Sequence, residues 1–189
     1  VNNDITSTMN EQQKEYYKQS VIDFEKILKP FLMDKIENAL DVHITTDVDL
    51  DREKGIDCRI YVLNNNKIEG FYVAYKMQKV FRDWETICIR YSRASGRKTE
   101  FTKQIEMLGS NEARPQIHMH FYADYNGNML VCYAVKTDLL IEWAGRHEDL
   151  IERKYKHGDS FLAVKVSDLR KAQIPVAELR PDNGRLRLV

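Results

Sequence analysis

Apolar residues change their spacing once along this chain, and that change limits the fold more than any other feature. Tyr17, Val21, Phe24, Ile27, Leu28, Phe31, Leu32, Ile36 and Leu40 recur every three or four positions, which puts them on one face of a helix. From Val42 onward the apolar residues come in short β-type runs, bounded by turn-forming residues. A helix with one apolar face followed by strands implies an α/β domain. The expected architecture is a long N-terminal helix, then a mixed, mostly antiparallel central sheet flanked by helices.

The boundaries follow from local chemistry. Thr8 and Glu11 stand in capping-box spacing and open the helix. Pro30 should kink or divide it after Leu28 or Lys29. Strands are expected at Val42 to Val48, Ile56 to Leu63, Gly70 to Gln78 and Thr86 to Tyr91. Thr99 should cap a helix to about Leu108. Gln116 to Ala123 and Met129 to Val135 flank Asn126-Gly127, a strong hairpin signal. Thr137 should cap a helix through about Ala144, His147 to Lys156 reads as helical, and Phe161 to Val166 as a last strand. With no long linker, residues 1–189 read as one domain. Its core spans about 30–123, an extension 124–174, and a polar, loose tail 175–189.

Composition narrows the function. Hydrophobic residues make up 43% and charged residues 31%, with 29 Lys and Arg against 29 Asp and Glu. No net field draws the chain to nucleic acid or a membrane, so an anion-binding surface must be a local patch. Cys58, Cys88 and Cys132 lie far apart, against a disulfide framework or zinc site and in favour of buried thiols. No apolar run is long enough to span a bilayer, and no signal peptide precedes the first helix. A cytoplasmic location is expected. A chain opening on Val1 reads as a fragment or a trimmed form.

The chemistry concentrates in a hairpin. Asp57, Arg59, Tyr61 and Leu63 share one strand face, and Tyr72, Ala74, Lys76 and Gln78 share one on the next. Asn64-Asn65-Asn66-Lys67 joins them. A turn centred on Asn66-Lys67 sets Asp57 opposite Lys76, and one centred on Asn65-Asn66 sets it opposite Ala74. Either way the aspartate and lysine share a face.

This order of elements, with Gly55-Ile56-Asp57 opening one strand and Val73-Ala74-Tyr75-Lys76 in the next, resembles the PD-(D/E)xK nuclease superfamily over about residues 30–123. The resemblance implies a restriction-endonuclease-like fold and Mg²⁺- or Mn²⁺-dependent hydrolysis of DNA or RNA, DNA ahead of RNA. It makes Asp57 a metal ligand and Lys76 the water-positioning cation. Glu37 matches an acidic residue that many members add from the first helix. A homodimer is one expected state, since many such nucleases cut duplexes as dimers. Ala74 departs from the pattern, which has an acid there. Either Glu100, or less readily Gln78, substitutes, or the domain is a catalytically inactive module that binds nucleic acid or a protein.

Arg90, Arg93, Arg97, Lys98 and Lys103 form the densest positive stretch and would grip phosphates, or else form a solvated loop. His118 and His120 alternate on one strand and could bind a transition metal or sit on a solvent face. Asp47, Asp49 and Asp51 suggest a cation loop but lack EF-hand spacing. Trp84 and Trp143 read as packing or interface residues.

Overall fold

A computed structural model of the chain describes residues 11–46, 54–149, 151–156 and 158–188. Thr8 and the Asp47, Asp49 and Asp51 loop lie outside the described residues. The N-terminal helical stretch is three pieces rather than one long helix: α1 (Glu11–Asp23), a π-turn (Phe24–Leu28) and α2 (Lys29–Lys35). The Lys29 amide donates to the Phe24 carbonyl, five residues back. Pro30, which has no amide to give, then enters α2 in its first turn. The proline is thus accommodated by one widened turn just before it. The helix ends at Lys35 rather than near Leu40, because Ile36 is already extended and Asn38 takes a positive φ of 56°.

Nine strands follow among the described residues: β1 (Ala39–Ile44), β2 (Cys58–Asn64), β3 (Lys67–Lys79), β4 (Thr86–Ser92), β5 (Ile117–Ala123), β6 (Met129–Lys136), β7 (Glu152–Lys156), β8 (Asp159–Lys165) and β9 (Val176–Leu179). Between them lie α3 (Glu100–Met107), α4 (Thr137–Arg146) and α5 (Val166–Lys171). The strands form two sheets. One runs β1-β2-β3-β5-β6-β9, the other β4-β8-β7. Only β3 and β5 pair in parallel; the other described pairs are antiparallel. The fold is therefore α/β with a mixed, mostly antiparallel main sheet, as expected. The second sheet is not foreseen, and it takes Thr86–Ser92 away from the strand before it.

Both faces of the main sheet are covered. On one, Val42, Ile60, Val73, Met119 and Cys132 pack under Phe24, Leu28, Phe31 and Leu32 of the helical stretch. On the other, Tyr122, Val131, Tyr133 and Val135 pack with Ile87, Leu162 and Val164 of the second sheet and with α3 and α4. All three cysteines are buried and free. No described helix is long and apolar enough to cross a membrane.

Three local expectations are overturned. Glu152–Lys156 is a strand, not a helix, and pairs with β8 from Glu152↔Ala163 to Lys156↔Asp159; tertiary pairing overrides the helix propensity of Glu, Arg and Lys. Residues after Pro175 are not loose, since β9 pairs with β6 and Leu186 bridges Ile36. Leu188 is 3% exposed, and its carbonyl accepts from Asn64 Nδ2 at 2.8 Å. Thr137 is the first residue of α4 after Lys136, with no side-chain cap. The Asn126-Gly127 turn does join β5 and β6, and Asp124 accepts from the amides of Asn126 and Asn128. Thr99 caps α3, accepting from the Thr102 amide.

Candidate functional site

The β2–β3 turn settles where Asp57 falls. Asn64 pairs with Lys67, and Asn65 and Asn66 both have positive φ, 48° and 62°, the form that suits a two-residue hairpin. Cys58 then faces Val73. Asp57, one residue before β2, donates its amide to the Val73 carbonyl at 2.9 Å. Its Oδ2 accepts from the Tyr75 amide at 2.6 Å. The aspartate is therefore level with Ala74, the alternative set by an Asn65-Asn66 turn.

The parallel β3–β5 register places His118 beside Ala74 and His120 beside Lys76. Neither histidine is on a solvent face: they are 7% and 0% exposed. Burial pushes His118 down to about 4 and His120 well below its ordinary value. Both rings are therefore neutral at neutral pH. His120 Nδ1 accepts from the Cys88 amide at 3.0 Å, so its proton sits on Nε2. Sequence alternation pairs the two imidazoles but cannot say that a second sheet covers them.

Lys76 reaches toward that second sheet. Its Nζ lies 3.6 Å from the centroid of the Phe161 ring on β8, a cation–π contact. Burial first, then the charge of Arg90, lowers its pKa to about 8, with Glu100 opposing. The lysine thus stays mostly charged at neutral pH and loses its proton in mild alkali.

Glu100 opens α3 and comes to the same place. Its Cγ is 4.0 Å from where a Cβ on Gly55 would lie, two residues before Asp57. Gln104, one turn on, donates to the Lys54 carbonyl at 3.0 Å. Glu100 Oε1 accepts from Arg93 at 2.9 Å and from Arg90 at 3.4 Å. Its negative charge also acts on Lys76 and His118. Glu37 is elsewhere. It is exposed in the turn between α2 and β1, next to Asn38, whose carbonyl accepts from Leu63. That is the far end of β2, roughly 20 Å along the strand from Asp57, on the helical side of the molecule. Register puts Asp57, Lys76 and His118 on one face of the main sheet, Glu100 acts on the last two from α3, and Glu37 lies apart.

The basic stretch largely folds in on itself. Arg90 also pairs with Asp159 at 3.5 Å, and Lys98 pairs with Glu106 at 2.7 Å. With Arg90 and Arg93 held by Glu100, these cations anchor α3 to β4. Arg97 is exposed and makes no ion pair among the described residues. The positive charge facing the site comes instead from the second sheet, where Lys154 stands opposite Phe161 and Lys156 acts on Lys76.

Buried side-chain polar atoms without a protein partner, among the described residues, belong to Gln78, Arg90, Arg93, Glu100, His118, His120 and Thr137. All but Thr137 lie around this face. Each such atom costs about 1–3 kcal/mol, and their concentration in one place makes this face the candidate site. Two carboxylates and an imidazole are donors suited to a divalent cation that accepts oxygen and nitrogen. No group of three such side chains stands ready to hold a metal among the described residues, because Glu100 is drawn to the arginines and Ala74 supplies nothing.

No protein-family model matches the chain, and neither curated proteins nor solved structures give a match. The class defined by fold and site is an α/β protein of two sheets with a polar, partly unsatisfied face between them.

Proposed function

We propose that this protein hydrolyses phosphodiester bonds of nucleic acid with Mg²⁺ or Mn²⁺, DNA ahead of RNA. The observation that carries the reading is the shared sheet face of Asp57, Lys76 and His118 with Glu100 acting on the last two, and with Glu100 Oε2 and His118 Nε2 lacking protein partners. Asp57, Glu100 and His118 would hold the cation, which when bound supplies charge neutralisation at the phosphoryl group and acidifies water. Lys76, charged at neutral pH, attracts the phosphate and orients the water beside it. Arg90 and Arg93 hold Glu100 in the free protein and would release it to the cation.

The test is cleavage of single- and double-stranded DNA and RNA with each metal. Wild type should cut with Mn²⁺ or Mg²⁺, and Asp57→Ala should lose cutting by at least about a hundredfold while retaining affinity. Cutting by Asp57→Ala at the wild-type rate would refute the reading.

A second reading is favoured by Ala74 and by the lack of a ready three-donor group among the described residues. On it the domain binds nucleic acid or a protein without cutting. Nucleic-acid binding by wild type with no cleavage under either metal would select it.

A further inference from the structure

The candidate site does not end at Lys76. On β8, Phe161, Ala163 and Lys165 alternate onto one face, and the first of these carries the Lys76 ammonium on its ring. Lys165 pairs with Thr86 at the start of β4. Four residues of strand separate Phe161 from Lys165, about 13 Å. At that end opens a cavity of about 620 Å³, whose lining includes Arg82, Trp84, Thr86, Lys154 and Lys165. The face of the second sheet therefore leads from Lys76 past Lys154 to Trp84.

Trp84 is 53% exposed. Its ring meets Tyr122 edge-on at 6.4 Å, so the indole has support on one side and open surface on the other. The cavity also contains the acids Asp83, Glu85 and Glu152. Asp83 accepts from the Tyr133 hydroxyl and pairs with Arg180, and Glu152 pairs with Lys154. Arg82 and Lys165 make no ion pair among the described residues. Among the described residues Glu85 makes no ion pair either, so the cavity combines a flat aromatic surface with two unpaired cations and one unpaired acid.

We propose that the cleft takes a single nucleic-acid strand, and that Trp84 stacks on one of its bases a few nucleotides from Lys76. Single strands are held without sequence preference by an aromatic platform with cations beside it, and here Trp84 is the platform and Arg82 and Lys165 the unpaired cations. A base inside a duplex keeps its faces against its neighbours and cannot offer one to the indole. Arg82 and Lys165 serve the phosphates flanking that base. This inference rests on the phosphodiester reading for its ligand class and adds the form of that ligand.

The experiment measures fluorescence anisotropy of a short labelled DNA oligonucleotide, as single strand and as duplex, with the full chain and no divalent metal. Base–aromatic stacking is worth about 1–3 kcal/mol. Trp84→Ala should therefore lower single-strand affinity about tenfold and reduce the preference over duplex, while Trp84→Phe should restore most of it. Lys165→Glu should weaken single-strand binding and flatten its salt dependence. Thermal melting checks that each variant is folded. An unchanged preference in both Trp84→Ala and Lys165→Glu overturns the inference, and wild-type cleavage in the same preparation would leave the phosphodiester reading standing. Wild type that neither binds nor cuts nucleic acid overturns both.

Discussion

A lysine ammonium buried against an aromatic ring and an arginine is an expense to the fold unless it serves a ligand. Lys76 has its pKa lowered from 10.5 to about 8, so the folded state holds its proton less tightly than the unfolded chain does. Between those values the unfolded chain binds more protons, and stability climbs as pH rises from about 8 toward 10.5. At neutral pH the whole penalty is present. Lys76→Met should therefore raise stability at neutral pH by about 1 kcal/mol or more and remove that part of the alkaline climb. Urea denaturation of both proteins across this range checks it. The placing of Asp57 and Lys76 on adjacent strands was legible because strand parity and an asparagine turn leave few registers. The burial of His118 and His120 was not, since β5 is buried at every position and a strand covered on both faces has no alternation to read. His118, lowered to about 4 from 6.5, should lose stability as pH falls through that interval. His118→Gln should lessen the acid loss in the same denaturation series.

Among the elements, those with their own turn or cap chemistry are legible in the sequence, whereas the apolar stripe of the N-terminal stretch shows neither its π-turn nor its end at Lys35, and segments defined by their partners are not legible at all. The β5–β6 hairpin carries its own turn chemistry in Asp124, Asn126 and Gly127. Glu152–Lys156 carries only exposed charged residues and Tyr155, and its strand character comes from pairing with β8. Reading it as a helix hid the alternation that sets Lys154 and Lys156 on one side. The C-terminal segment differs from expectation for the same reason, because a polar tail gives no sign that two leucines will reach a core. Leu186 donates its amide to the Lys35 carbonyl, and Leu188 is packed in the core with the π-turn and α2. Leu188→Ala should cost about 2–4 kcal/mol, measured by denaturant unfolding. A loss under about 0.5 kcal/mol would fit a loose surface tail instead.

At the scale of the whole molecule, two sheets create the site. Strand periodicity distributes residues between faces but does not say which strands share a sheet, so nothing in the sequence sets β4 in a sheet of its own with β8 and β7. Its position in the β4-β8-β7 sheet places Arg90 and Phe161 over Lys76 and encloses the histidines. The main sheet's other face is covered by the π-turn, α2 and the tail, and Glu37 stands in the exposed turn at that side, away from the candidate site. Anomalous diffraction from a crystal soaked in Mn²⁺ reads whether this enclosed polar face binds a catalytic cation. The account predicts a Mn²⁺ peak against the Asp57 and Glu100 carboxylates, with Glu100 drawn from Arg90 and Arg93, and no such peak in Asp57→Ala. A fully soaked wild-type crystal with no peak on this face would contradict it.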